Sequence, residues 1–444
     1  MKNPKIIYLI VALTTCFVFS AGYECTAGNK NYFQKNSNRL LWQDQVSSIN
    51  DGWDWASSVA TQGNRVFVAG GTPGFSVMAY DSMTGKLLWH ISNADGGAAG
   101  IAAQGSLVFV AGAIDEGFAV QAFHANSGIP LWQDLVKEGL YDDMNWATSI
   151  AVKGNLIFVA GAIGDNIGCT DFAVRAYLGR TGKLLWEDLF EGTGNAMDTA
   201  DAIAADRNRV FVSGTVENIY TGQDFIVRAY HAQTGKLLWQ DQVNGTINQY
   251  DVGSAIAVKG NLLCVAGSLR NVGTGNDFIV RTYHAKTGKL LWQDQVNCPH
   301  EYDEANAIAI KDGLVFVGGS VSNNDKGRLF TIRAYYAKTG KLIWADQAEG
   351  SLNGWSGAEA VTVSGNRVFA AGNVSNIATF EDFTIRAYHA KTGKLLWQDQ
   401  VDGTASDWDS ANAIAATGGR VFVAGQVIND QTAGDLIIRT YKAH

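Results

Sequence analysis

The chain has 444 residues, 47% of them hydrophobic, enough to bury a large core in one or more domains. A formal charge of -8 and a pI near 5.4, with no run of Lys or Arg, leave no footprint for binding phosphate backbones, so nucleic acid is not expected as a partner. Fifty glycines and 48 Phe, Trp and Tyr residues against 4 prolines suit short aromatic strands joined by tight turns, and point to an all-β fold.

The first residues read as a targeting signal. Lys2 and Lys5 precede an apolar stretch from Ile6 to Ala21, short for a spanning helix and of the right length for a secretory h-region. Cleavage after Gly22 would leave Ser20 and Gly22 at the small-residue positions, so residues 1–22 are assigned to a signal peptide and 23–38 to a polar arm. The expected location is therefore periplasmic or extracellular, with an outer-membrane association open. An alternative is lipidation at Cys16, where Leu13-Thr14-Thr15-Cys16 loosely matches a lipobox; Thr15 fits it poorly and the apolar run continues through Phe17-Val18-Phe19. The remaining cysteines, Cys25, Cys169, Cys264 and Cys298, follow no zinc or Cys-x-x-Cys spacing, so no metal site is expected, and Cys264 reads as a buried apolar thiol.

From residue 39 onward the chain repeats. A Leu-Leu-Trp-Gln-Asp motif and its variants recur with the tryptophan at Trp42, Trp89, Trp132, Trp186, Trp239, Trp292, Trp344 and Trp397, at a spacing that settles near 53 residues. In the repeat between Trp239 and Trp292, strands are expected at Ser254 to Val258, Leu262 to Ala266, Phe278 to His284 and Lys289 to Val296, with Lys259-Gly260-Asn261 a tight turn. Four antiparallel strands per repeat make one blade, so residues 39–444 are expected to form an eight-bladed β-propeller. Small residues such as Ala255 and Ala257 suit an innermost strand near the axis, which puts the Trp strand outermost.

Ala229, Gly235 and Trp239 stand at positions 1, 7 and 11 of Ala-Tyr-His-Ala-Gln-Thr-Gly-Lys-Leu-Leu-Trp, a segment that resembles the tryptophan-docking repeat of pyrroloquinoline-quinone propellers. The resemblance implies that each Trp packs on the neighbouring blade and its Gly turn. The family's usual Asp or Asn at position 3 survives only as Asp81; His124, Leu178, His231, His284, Tyr336 and His389 replace it, once per blade, which argues against a shared metal site.

In such a topology the short turns share one face, and the inter-blade loops and second-to-third-strand connections share the other, where function is expected. The inter-blade loops repeat an aromatic or Met followed by Asp: Trp53-Asp54, Met197-Asp198, Tyr250-Asp251, Tyr302-Asp303 and Trp408-Asp409, with Met144-Asn145 and Trp355-Ser356 as variants. Their near-invariance between blades suggests that each Asp caps its own loop. Residues that differ between blades are the better partner-binding candidates: Asp51, Trp55, Asp142, Asp143, Trp146, Asp201, Glu301, Glu304, Glu359 and Asp407.

A ladder of ion pairs is expected within blades: Arg175 with Asp188, Arg228 with Asp241, Arg281 with Asp294, Arg333 with Asp346 and Arg386 with Asp399. Met78 and Ile91 replace both members in the first blade. Arg439 and Asp44, left over at the chain ends, would then pair, with Leu40 to Val46 completing the last blade.

The resulting expectation is an exported non-catalytic scaffold that binds a protein or polymer, similar to the propeller subunit of the outer-membrane protein assembly machinery, with no cofactor. Two alternatives stand beside it. One is a quinoprotein dehydrogenase using pyrroloquinoline quinone and calcium, against which the resemblance itself counts, since such enzymes carry adjacent cysteines and long insertions that this chain lacks. The other is a secreted glycan-binding propeller.

Overall fold

The computed structural model describes residues 38–47, 52–72, 74–93, 95–137, 145–164, 168–194, 196–298, 301–323 and 327–444, with the main chain alone at 301. The signal-peptide and lipidation readings at 1–22, and Asp51, Asp142 and Asp143, lie outside them. The described chain forms eight antiparallel sheets of four main strands each, and no helix. Blade 5 is representative: Val252–Lys259 lies innermost, followed by Leu262–Asn271, Gly275–His284 and Leu290–Val296. The second and third strands run longer than the sequence pattern suggests, so the connection between them is a ladder of ten-residue strands closed by a short turn.

Blade 8 draws its first three strands from Ser410–Thr417, Arg420–Asn429 and Ala433–Lys442, and its outermost strand from Leu40–Val46 at the other end of the chain. The ring therefore closes by strand pairing, leaving no unpaired edge between its ends.

The core lies between blades. Alternating residues of each sheet face opposite neighbours, so Phe211, Phe225 and Val227 of one blade pack with Leu263, Val265 and Tyr283 of the next. The indole Nε1 of each of Trp42, Trp89, Trp132, Trp186, Trp239, Trp292 and Trp344 donates a hydrogen bond, 2.8 to 3.2 Å long, to a carbonyl in the third-to-fourth-strand turn of the following blade. Trp397 packs against Tyr441 with ring centroids 5.5 Å apart and planes tilted by 33°, and the Arg39 guanidinium lies over its ring.

The ion-pair ladder exists, but its partners differ from the expectation. Arg228, Arg281, Arg333, Arg386 and Arg439 reach Asp188, Asp241, Asp294, Asp346 and Asp399 of the preceding blade at 3.1 to 3.3 Å. Arg175 reaches Asp134 in the same way, and also pairs with Glu187 of its own blade. Parity explains the difference. Arg281 stands opposite Gln293, and Val280 opposite Asp294. Directly opposed side chains share a face and successive ones alternate, so Arg281 and Asp294 project from opposite faces of one sheet and cannot meet. In the same way Asp44 is opposite Ile438, not Arg439, and faces blade 1, where Met78 occupies the arginine position and the Tyr80 hydroxyl hydrogen-bonds it. Thus Asp44 and Arg439 are not partners, although the strand closure they suggested is present. Ile91 likewise packs with the core between blades 1 and 2, while Gln121, at the arginine position of blade 2, bonds Gln133.

Each rung has a third member. The arginine Nε donates to the tyrosine two residues further along its strand, and that hydroxyl donates to the same aspartate: in blade 5, Arg281 to Tyr283 at 2.7 Å and Tyr283 to Asp241 at 2.9 Å. Burial pushes the Tyr283 phenol above its ordinary range, with Arg281 opposing and Asp241 adding to the shift, and like any phenol it is a donor at neutral pH.

Candidate functional site

The long connections gather on one face of the disc, and the aspartates that precede the innermost strands hold them in place. Asp251 Oδ1 accepts the Arg270 N–H at 2.6 Å and Oδ2 accepts the Gly245 N–H at 2.6 Å, tying the inter-blade loop to the end of the second strand. Asp198, Asp303 and Asp409 repeat the arrangement with Glu217 and Gly192, Ser322 and Cys298, and Ile428 and Gly403. Asn145 and Ser356 each accept one such N–H, from Gly164 and Ser375. The main chain beside each is fixed as well: the Asp251 N–H donates to Gln223 and the Asp409 N–H to Glu381, across the seam to the preceding blade.

These carboxyls are buried, and burial outweighs the N–H bonds. Asp198 and Asp251 are pushed up to about 6, and Asp303 and Asp409 to about 7. A carboxyl whose folded pKa lies above its unfolded value of 3.8 contributes stability in full below that value and loses it as pH rises through the folded pKa. The chain is therefore expected to melt at a higher temperature near pH 5 than at about pH 7.5, with Asp409→Asn narrowing the gap. Thermal denaturation of both proteins at the two pH values checks this; a wild-type midpoint that rises with pH would contradict it.

Because each pinned residue points inward, its predecessor points out. Tyr250, Tyr302, Trp355, Trp408 and Trp53 occupy this position at five consecutive seams, from blades 4/5 round to 8/1, with exposures from 48% at Tyr302 to 70% at Trp355. Met197 continues the series at the seam before them. The Arg328 guanidinium carbon lies 5.3 Å from the Tyr302 ring centre and 5.0 Å from that of Trp355, bridging two adjacent seams.

The residues selected from the sequence fall in different places. Glu304 is ion-paired with Arg328 at 3.5 Å. Trp55 packs edgewise over Gly71 and near Gly97, where an added Cβ would come within 2.6 and 3.3 Å of its ring, so it is half-buried between blades. Trp146 is half-buried at the equivalent start of blade 3. Asp201 and Glu359 sit at a β-bulge of the innermost strand, at the position where Thr148, Asn306 and Asn412 reach across to the next blade. They belong to a collar round the axis; burial pushes Asp201 up to about 7 and raises Glu359 despite its bond from Asn306. Asp407 is exposed and accepts the Trp408 N–H. The main chain of Glu301 pairs with Gly275 of blade 5. The sequence did contain the signal for the aromatic arc, in the residue preceding each pinned Asp, but its regularity made it look structural.

Cys264 is buried, accepts a hydrogen bond from Thr282 and has its thiol pushed up to about 12 by burial. Among the described residues no group of three or more His, Cys, Asp or Glu is placed to hold a metal ion.

Fold and repeat together define a β-propeller of the pyrroloquinoline-quinone repeat type. The chain belongs to the family of the outer membrane protein assembly factor BamB, whose sequence model matches residues 31–224 and again 223–440. BamB from Moraxella catarrhalis is similar in structure, with a TM-score of 0.55 and 13% identity over 90% of this chain and 98% of that one. The quinohemoprotein alcohol dehydrogenase of Comamonas testosteroni superposes with a TM-score of 0.63 and 14% identity, over 91% of this chain and 76% of the enzyme. A tetrathionate hydrolase of Acidithiobacillus ferrooxidans is 27% identical over 250 residues, which are 54% of this chain but only 41% of that protein. Among the described residues no helix is long and apolar enough to cross a membrane.

Proposed function

We propose that this chain is an exported, non-catalytic scaffold, periplasmic or extracellular, that docks a protein partner on its long-loop face. The observation that supports the reading is the arc of exposed aromatics at five consecutive seams, each preceding a buried residue whose main-chain N–H is bonded across the seam. Large aromatics on a rigid frame lose little side-chain entropy on association and dominate the energetics of protein interfaces. The surrounding surface is acidic, with Asp402, Asp407, Glu349 and Asp430 in the adjoining loops, which suits a partner carrying cationic groups beside its apolar ones.

The test is affinity capture from an envelope extract with the wild-type chain and with Trp53→Ser, Trp355→Ser and Trp408→Ser combined. A protein retained by the wild type is expected to be lost from the variant, whose melting temperature stays within a few degrees because surface changes cost little. Retention of the same protein by the variant would refute the docking face, and retention of a polysaccharide in its place would favour a glycan-binding role. In parallel, the purified chain is expected to hold no quinone after incubation with pyrroloquinoline quinone and calcium followed by dialysis. Stoichiometric quinone absorbance would overturn the non-catalytic reading.

A further inference from the structure

The net charge of -8 conceals a strong separation between the two faces of the disc. More than half of the 34 Lys and Arg residues lie in the short turns or at the strand ends adjoining them, where the acids are Asp81, Asp206 and Asp312. On the long-loop face the described cations are Lys137, Arg270 and Arg328, among many acids.

The cations of the short-turn face form two rings. The Thr-Gly-Lys turns place Lys86, Lys183, Lys236, Lys289, Lys341 and Lys394 at equivalent outer positions in six blades, all exposed and, among the described residues, none in an ion pair. Nearer the axis, the turns after the innermost strands carry Lys153, Arg209, Lys259, Lys311, Arg367 and Arg420. The three carboxylates on this face, Asp81, Asp206 and Asp312, are far fewer than its cations, so it keeps a clear positive excess.

We propose that the short-turn face is an electrostatic docking surface for a bilayer containing anionic lipids. Two observations select a planar lipid surface. The cations are spread over the short turns of seven of the eight blades, blade 2 carrying none, instead of lining a groove, so they present a plane of charge with no track for a linear polymer. The opposite face is acidic, so an anionic surface attracts one side and repels the other, which fixes orientation. The described chain also starts on this same face: the Arg39 carbonyl accepts the Lys442 N–H, and its guanidinium donates to the His444 carbonyl. Seated in this way, the disc has its basic face towards the lipid and its aromatic face turned away, free for a partner. The proposal does not depend on what that partner is.

The experiment is co-sedimentation of the full chain with vesicles of phosphatidylcholine alone and of phosphatidylcholine with about one third phosphatidylglycerol. Binding to the anionic vesicles is expected to be at least about tenfold tighter than to the neutral ones and to weaken as added salt shortens the screening length. Changing Lys86, Lys183, Lys236, Lys289, Lys341 and Lys394 to Gln should bring anionic binding down to the neutral level with the melting temperature unchanged. Should that variant fail to fold, Lys153→Gln, Lys259→Gln and Lys311→Gln together should give a smaller loss of the same sign. Equal binding to both vesicle types, or full anionic binding by a folded lysine variant, would overturn the proposal. Capture by heparin without binding to anionic vesicles would reject the lipid surface in favour of a soluble polyanion.

Discussion

Replacing Trp239 with alanine is expected to lower the free energy of unfolding by about 3 to 4 kcal/mol, near the lower end for truncating a large aromatic because the indole is not fully enclosed. The ring lies between Phe211 of its own blade and Tyr283 of the next, with centroid distances of 6.1 and 5.8 Å, and its N–H is bonded to the Ala285 carbonyl. Alanine leaves a void at the seam and an unmatched carbonyl. The same contact makes Gly288 restrictive: its φ is +70°, and a Cβ there would lie 2.7 Å from the indole, so Gly288→Ala is expected to be destabilising too. Urea titration reads both; a loss under about 1 kcal/mol for Trp239→Ala would mean that blade docking does not depend on the indole.

The second large effect concerns the rungs. Removing Asp241 leaves the Arg281 guanidinium, with a side-chain exposure of 10%, without a counter-charge, held only by Gln293 and the Tyr283 oxygen, and takes away the acceptor of the Tyr283 hydroxyl. Asp241→Ala is expected to cost about 2 to 3 kcal/mol, below the full penalty for an orphaned buried charge because the aspartate itself is 35% exposed. A double-mutant cycle with Arg281→Met should show clear coupling between residues 241 and 281. The cycle between 281 and 294, which share a blade but project from opposite faces, should show almost none. The reverse pattern would restore pairing within blades.

This rung shows how far the sequence could be read. Blade number, strand order and the docking tryptophans follow from the repeat, because one pattern seen eight times separates signal from local accident. The repeat also identifies Arg281 and Asp294 as regular charged positions. It cannot say which of several equivalent aspartates each arginine meets, since a shift by one blade leaves every spacing unchanged; only side-chain parity across the sheet decides. The site was legible in part. The capping role of Asp251 was clear from its repetition, but the exposure of Tyr250 follows from that capping and needed the fold to be seen. The segregation of charge was hidden for a related reason. Lysines such as Lys236 and Lys289 are some 50 residues apart in the chain, so no window along it contains a basic run, and only the propeller brings them onto one face.

The strand exchange that closes the ring also sets the order in which the fold can be completed. Blades 1 to 7 are each made of contiguous sequence and can form one after another as chain becomes available. Blade 8 cannot, because its outer strand is among the first described residues and the rest of it is last: Gln45 donates to Asp435 across 390 positions of sequence. The final step is thus the longest loop closure in the molecule, with its entropic cost met at once and its reward deferred until seven blades have brought the ends together. Until then Leu40 to Val46 is a strand without a partner, and the open edge of blade 8 is its template, so folding in crowded surroundings favours whatever keeps that strand close to its own chain rather than to a neighbour's.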